Sequence, residues 1–231
     1  LGDLVSDLLP AAAPGPRPGW GGVALRGWIA LAALFNAIWL LTVLTTGRLL
    51  YYWPMWPMLG TAIPVVLGGD HSITYADASG VADVMGQGRV SLIHFDAHAD
   101  TGDIDFGSLW GHGQPMRRLI EAGSVRGDRF LQIGLRGYWP GPETLDWMAG
   151  QEMRSFEMTE IVHRGLTECL TEAFTISVDE CDGVFLSVDI DVCDPGHAPG
   201  TGTPKPGGLS ARQLLDSVRR ICLELPVVGV D

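Results

Sequence analysis

The segment Ser91–Asp103, SLIHFDAHADTGD, places His94, Asp96, His98 and Asp100 at every second position. On an extended backbone, side chains alternate between the two faces, so residues two apart point to the same side. On a helix, residues two apart diverge by about 200° and form no common site. We therefore expect this segment to be a strand whose end gathers Asp96, His98 and Asp100 at one place.

Short apolar runs bounded by Gly, Pro or charged residues predict five strands. They lie at residues 63–69, 89–95, 129–135, 183–190 and 226–230. Helix-like spans separate them, near residues 73–86, 113–123, 142–150, 157–174 and 210–224. Strands that alternate with helices indicate an α/β fold, with a mainly parallel sheet covered by helices on both faces.

The composition is typical of a folded globular chain, with 231 residues of which 46% are hydrophobic and 18% charged. The formal net charge is −12 and no long block of Lys or Arg is present, which argues against a nucleic-acid partner. The four cysteines are scattered without a C-x-x-C pair. This pattern favours a reducing, cytoplasmic location over a disulfide-stapled secreted domain.

The first part of the chain differs in character from the rest. It is rich in Pro and Gly at first, and residues 27–47 then carry no charge. About 20 apolar residues suffice to cross a bilayer, so this run has the length of a membrane span. A membrane or interface helix, a buried helix and a sequence foreign to the domain remain open as interpretations. We predict an atypical segment at residues 1–60 and the α/β domain at residues 61–231.

Three of the apolar runs end in residues that bind metal ions. In parallel sheets, ligands bind beyond the carboxyl ends of the strands. The candidate ligands are His71, Asp96, His98, Asp100, Asp189 and Asp191. Carboxylates and imidazoles without a thiolate in register suit a divalent ion such as Mn²⁺ better than structural Zn²⁺. Four aspartates carry about the charge of two divalent cations, which favours a two-metal site.

Long motifs in this order resemble the ureohydrolase family of arginases and agmatinases. The motifs are GGDHS at residues 68–72, DAHAD at 96–100 and SVDIDVCDPGHAPGTGTPKPGGL at 187–209. The resemblance covers about residues 63–231, and the APGTGTP loop looks closer to agmatinase and guanidinobutyrase than to arginase. It implies a three-layer α/β/α sandwich, trimeric or hexameric assembly, and about two Mn²⁺ ions per chain.

The resemblance also implies a role for each ligand. One ion would be held by His71, Asp96, Asp100 and Asp189, and the other by Asp96, His98, Asp189 and Asp191. The implied reaction is hydrolysis of a guanidino group to urea and an amine, begun by hydroxide generated at the metals. His112, in WGHGQP, matches the family histidine proposed to shuttle a proton to the leaving amine.

We expect the remaining histidines and two further aspartates not to bind the metal ions directly. His94 is in phase with the ligands but one pleat deeper, so we expect it to orient a carboxylate from beneath. His197 is a candidate for the mouth of the site, and His163 for the protein surface. We expect Asp70 and Asp194 to cap the turns after their strands.

Substrate choice is approached through Gly102. Arginases carry an Asn at the matching position, which helps to bind the α-carboxylate of the amino-acid substrate. The glycine therefore favours a substrate that lacks this carboxylate, such as agmatine. Two alternative substrates remain open, 4-guanidinobutyrate and a formimino compound. An alternative function also remains open, that of a non-catalytic metal-binding remnant or partner subunit. The family's guanidinium-binding glutamate follows the strand that VVGVD (227–231) matches. If the protein itself ends at Asp231, we expect it to bind metal but to hydrolyse little.

Overall fold

A computed structural model describes residues 33–34, 36–45, 71–104 and 107–231. The chain divides into two compact units, Leu1–Val66 and Leu67–Asp231.

The described part of the first unit is helical. The hydroxyls of Thr42 and Thr45 donate hydrogen bonds to the carbonyl oxygens of Ile38 and Leu41, one turn earlier. Within the described residues, no helix combines the length and apolar character that a membrane crossing requires. Much of the run at 27–47 and the strand predicted at 63–69 lie outside the described residues.

The described residues of the second unit form a five-stranded parallel sheet. Its strands are β1 (Val90–Phe95), β2 (Phe130–Ile133), β3 (Arg154–Phe156), β4 (Gly183–Val188) and β5 (Val227–Val230), in the order β3-β2-β1-β4-β5. The chain runs from β1 outward to β3 and then returns to β4 on the other side of β1. The carboxyl ends of β1 and β4 therefore flank a topological switch point, the usual ligand site of such sheets.

Helices cover both faces of this sheet. They are α1 (Ile73–Met85), α2 (Pro115–Glu121), α3 (Pro142–Gly150), α4 (Met158–Arg164), α5 (Leu166–Val178) and α6 (Ala211–Glu224). One apolar cluster joins Leu92 and Phe185 of the sheet to α1 and α2. A second cluster joins Ile93 and Leu186 to α4, α5 and α6. The unit is thus the expected three-layer α/β/α sandwich.

Alternation along β1 explains the two apolar clusters. Leu92 and Ile93 are adjacent in sequence and enter opposite clusters, because neighbouring side chains of a strand point to opposite faces. All six residues of β1 are buried, as in a central parallel strand with helices on both faces.

Two elements differ from the prediction. The helix expected at residues 157–174 is two helices, because Gly165 adopts a φ of 90° and interrupts the helical backbone. The short strand β3 was not predicted, since Arg154 and Ser155 are partly exposed polar residues and no apolar run marks it.

Candidate metal centre

His71 reaches the switch point from the turn before α1 and meets carboxylates from two strand ends. Its Nδ1 atom lies 3.1 Å from Asp96 Oδ2, 3.0 Å from Asp100 Oδ2 and 3.5 Å from Asp189 Oδ2. Asp96 and Asp100 follow β1, and Asp189 follows β4. We call these four residues the His71 cluster.

A second group of ligand atoms adjoins the first. His98 Nδ1 lies 2.9 Å from Asp191 Oδ2 and 3.3 Å from Asp96 Oδ1. We call Asp96, His98 and Asp191 the His98 cluster. Asp96 is almost completely buried and turns one carboxylate oxygen toward each cluster. The two clusters therefore share this residue, as expected for a bridging ligand.

Turns bring these side chains together, and the expectation of an extended segment through Asp100 was wrong. β1 ends at Phe95, and Asp100 has a φ of 50°, in the left-handed region. The amide of His98 donates a 2.6 Å hydrogen bond to Asp96 Oδ1, which closes a turn. After β4, a 3₁₀ turn at Ile190–Val192 carries Asp191. The ligands still converge, although alternation along a strand is not the reason.

Backbone amides and a serine hold the ligands in place. The amide of Asp191 donates to Asp189 Oδ1 at 2.8 Å, and the amide of Ala97 donates to Asp191 Oδ1 at 3.0 Å. His71 Nε2 lies 2.7 Å from the hydroxyl of Ser187 on β4, which leaves Nδ1 facing the carboxylates. These contacts fix the direction of each ligand atom.

Within the described residues, three buried side-chain atoms of this site make no well-aligned hydrogen bond. They are His71 Nδ1, His94 Nε2 and Asp96 Oδ2, although the two nitrogens lie 3.1 and 3.0 Å from the carboxylate oxygen. Buried polar atoms are nearly always satisfied, so three unsatisfied atoms at one place indicate a missing partner. An ion that accepts nitrogen and oxygen ligands fits this requirement, and the described residues offer His71, His94, Asp96 and Asp100 as one group able to hold it.

The crowded charges shift several pKa values. Burial and the Asp96 carboxylate raise the pKa of Asp100 to about 6. Burial opposes the charge of His71, yet Asp100 and Asp96 raise its pKa to about 11. Burial alone would raise the pKa of Asp96, but His71, His94 and His98 hold it well below its usual range. Without a cation, protonated histidines must offset the carboxylates, and a divalent ion would take over that role.

A pocket of about 350 Å³ opens over the clusters. Beside the ligands, its wall contains His112, Gly113, Trp139 and residues 201–203. The structure therefore places His112 in the wall of the pocket that the candidate ligands share, and its catalytic role stays a prediction. Trp139 was not singled out from the sequence, and the only available signal was its position in the loop that follows β2.

Gly102 lies behind this wall. Its amide donates a 2.9 Å hydrogen bond to the carbonyl oxygen of Gly113. A Cβ atom at Gly102 would lie 3.0 Å from that oxygen and 3.4 Å from the Trp139 ring. A side chain at Gly102 would therefore press on the Gly113 carbonyl oxygen, whereas its Cβ atom would only touch the Trp139 ring.

The other predicted residues are placed as follows. His94 is fully buried, with Nε2 3.0 Å from Asp96 Oδ2. Asp194 accepts hydrogen bonds from the amides of Gly196 and Gly207, which confirms that it caps its turn. His163 is exposed on α4, as expected, whereas the exposed His197 is not among the described residues that line the pocket. Asp70 lies outside the described residues.

Comparisons with known proteins agree on one family. A family model described as the arginase family matches residues 58–231. Over 73% of its length, the chain is 41% identical to the mitochondrial agmatinase of Gallus gallus, and 39% identical to the guanidinobutyrase of Pseudomonas aeruginosa. These matches cover 48% and 51% of the two relatives. The chain therefore spans about half the length of the curated relatives it matches.

A solved structure supports the same fold. Formimidoylglutamase from Bacillus subtilis superposes with a TM-score of 0.66 and 32% sequence identity. The match covers 71% of this chain and 50% of that protein.

Proposed function

The chain belongs to the arginase family, and we propose that it binds two divalent ions and hydrolyses a guanidino compound to urea and an amine. The observation that carries this proposal is the convergence of the His71 and His98 clusters beside one pocket. The agmatinase and guanidinobutyrase among the relatives support a guanidino substrate.

We assign one ion to the His71 cluster and the other to the His98 cluster together with Asp189. Carboxylate oxygens dominate both ligand sets, and for this reason we propose Mn²⁺. Divalent ions bound here would lower the pKa of water, which supplies a nucleophile at neutral pH, and would polarise the substrate.

The side chains of the wall would perform the remaining steps. His112 borders the same pocket as the ligands, and histidine can accept and donate a proton near neutral pH. We assign to it the proton that the leaving amine requires. Thr203 donates a 3.3 Å hydrogen bond to Asp191 Oδ2, so the loop at 201–203 both borders the substrate and steadies a ligand.

The composition of the wall favours a substrate with a cationic tail. Among the described residues that line the pocket, none is Lys or Arg, so no fixed positive charge is available there for a carboxylate. Trp139 offers an aromatic face, which attracts an alkylammonium group. We therefore place agmatine ahead of 4-guanidinobutyrate and of formimino compounds.

Urea release after Mn²⁺ loading tests the proposal. Agmatine, 4-guanidinobutyrate, arginine and a formimino compound form the substrate panel, with Asp96→Ala and Asp189→Ala as inactive variants. Asp216→Ala is the matched control, because Asp216 is exposed on α6. We expect kcat/KM for arginine to be at least about tenfold below that of the best substrate, or about 1.4 kcal/mol.

The panel also separates the alternatives. A formimino substrate turned over faster than every guanidino compound would replace the proposed substrate class. A protein that binds ions but releases nothing from any compound would be a non-catalytic metal-binding member or a partner subunit. Assembly into trimers or hexamers stays a prediction, which light scattering checks.

A further inference from the structure

Arg136, three residues beyond β2, uses its guanidinium in an unusual way. Every acceptor of its side-chain hydrogen bonds is a main-chain carbonyl oxygen. Nη1 donates to the carbonyl oxygens of Gly134 at 3.0 Å and Val192 at 3.2 Å. Nη2 donates to those of Asp191 at 2.7 Å, Lys205 at 2.8 Å and Cys193 at 3.1 Å. Nε donates to that of Pro206 at 3.1 Å. The planar group, with its five N–H donors, thus ties three separate backbone segments together.

These segments surround one ligand. The turn at Asp191–Cys193 carries the Asp191 carboxylate, which lies 2.9 Å from His98 Nδ1. The loop at Lys205–Pro206 continues from Thr203, whose hydroxyl donates to Oδ2 of that carboxylate, the oxygen that also faces His98. The end of β2 supplies the fixed base, because the main-chain amide of Arg136 itself donates to Ala97 at 3.1 Å. Residues of the His71 cluster make none of these contacts.

Gly208 provides independent support for the close packing of the Arg136 guanidinium against the turn that carries Asp191. A Cβ atom at this position would collide with Nη2 of Arg136 and with the carbonyl oxygen of Val192. The φ of Gly208 is not in the left-handed region, so space and not backbone conformation requires the glycine here. The chain therefore leaves room for the guanidinium beneath the turn that carries Asp191.

The charge of Arg136 does not explain its position. A cation near the clusters would repel a divalent ion, so its electrostatic effect opposes metal binding. What the residue supplies is a rigid set of donors, and a ligand held rigidly in direction binds a metal more tightly.

We propose that Arg136 is a positioning residue for the metal centre, which fixes the turn that carries Asp191 and so controls ion binding at the His98 cluster but not at the His71 cluster. This inference rests on the proposed binding of two ions for its metal-dependent part. Its structural part, that Arg136 fixes the turn, does not depend on metal binding and can be tested on the metal-free protein.

Metal stoichiometry after Mn²⁺ loading tests the first part. The variants are Arg136→Gln, Arg136→Lys and Gly208→Ala, each checked for folding by circular dichroism. We expect about two ions in the parent protein and about one in Arg136→Gln, with affinity at the weakened site reduced at least about tenfold. Lys keeps the charge but has fewer donors, so Arg136→Lys should show the same selective loss in weaker form. Gly208→Ala should also show this weaker loss, because the added Cβ atom would collide with Nη2 of Arg136.

Second substitutions identify the remaining ion. Adding Asp100→Ala, in the His71 cluster, to Arg136→Gln should remove it, whereas adding His98→Ala should cause no further loss. Equal weakening of both sites, in variants that remain folded, would mean that Arg136 only stabilises the domain and would overturn the proposal.

Hydrogen exchange of the metal-free protein tests the second part. The amide of Asp194 donates to Leu209 at 2.8 Å, and the amide of Leu209 donates to Val192 at 3.0 Å. Both amides should exchange faster in Arg136→Gln and Arg136→Lys, while those of β1 keep their protection. Unchanged exchange at these two amides would refute the fixing of the turn. If the parent protein binds no ion, the proposed function fails, and the exchange result still decides the role of Arg136.

Discussion

His94 Nε2 lies 3.0 Å from Asp96 Oδ2, with the imidazole fully buried beneath the carboxylate that the two clusters share. On the other side, Gln132 Nε2 is 3.4 Å from His94 Nδ1 and donates a 2.6 Å hydrogen bond to Ala99. Ser155 donates to Gln132 Oε1 at 3.1 Å, which sets the direction of the amide. We infer that His94 Nδ1 accepts from Gln132 and that the proton on Nε2 faces Asp96.

Replacement of His94 should therefore weaken metal binding without removing a proposed ligand. We expect His94→Leu to lower Mn²⁺ affinity about 10- to 100-fold, because Asp96 loses the group that orients it. His94→Gln, which keeps an N–H donor, should lose less. Titration calorimetry measures both, with exposed His163→Gln as control. Affinity of His94→Leu equal to that of the parent would show that Asp96 needs no such support.

Metal binding should release protons. Burial opposes a charged His71, but Asp100 and Asp96 raise its pKa to about 11, and Asp191 and Asp96 raise the pKa of His98 to about 10. Both imidazoles therefore hold protons at pH 7.5 in the metal-free protein, whereas a metal ligand must be unprotonated. Loading both sites should release about two protons and become weaker as pH falls.

Calorimetry in two buffers of different ionisation enthalpy counts these protons. The heat of binding should differ between the buffers in proportion to the protons released. Equal heats in the two buffers would contradict the assignment of His71 and His98 as ligands.

His112 should matter for turnover and not for metal binding. We expect His112→Asn to lower kcat about 100-fold or more, because the leaving amine loses its proton donor, while the metal content stays unchanged. His197→Asn is a matched control, since this exposed histidine is not among the described residues of the pocket wall. A kcat for His112→Asn within about twofold of the parent would remove His112 from the mechanism.

Trp139 should select for a cationic tail. We expect Trp139→Leu to raise KM for agmatine about three- to tenfold through the loss of a cation–π contact, with little change for 4-guanidinobutyrate. Trp139→Phe keeps an aromatic ring, so its KM for agmatine should lie between those of the parent protein and Trp139→Leu. Steady-state kinetics with both substrates checks this. A parallel rise for the two substrates would mean that Trp139 contributes only to the shape of the pocket.

The convergence of the candidate ligand residues was predictable because the relevant signals are local. Apolar runs mark β1 and β4, and five of these candidates, Asp96, His98, Asp100, Asp189 and Asp191, follow them directly in the chain. The alternation of Asp96, His98 and Asp100 correctly predicted that these residues lie close together, but the reason was wrong, since turns and a left-handed Asp100 bring them together. Such turns are closed by hydrogen bonds that the spacing of residues does not encode.

The supporting residues could not be predicted, because their partners are distant in the chain. Arg136 is paired with carbonyl groups 55 to 70 positions later. Gln132 meets His94 across neighbouring strands, and Trp139 covers Gly102 from another loop. None of these residues lies in a motif whose spacing points to its partner.

The sequence by itself determined the α/β class of the domain, its strand-to-helix alternation and the choice of candidate ligand residues, since these depend on patterns within short segments. Only the tertiary structure decided how the ligands divide into two clusters, which residues orient them and what lines the pocket. The physical reason is that the strand order β3-β2-β1-β4-β5 brings together turns from separate parts of the chain. Side-chain direction in those turns depends also on hydrogen bonds between distant segments, such as that from the amide of Ala97 to Asp191 and the contact of His71 with Ser187.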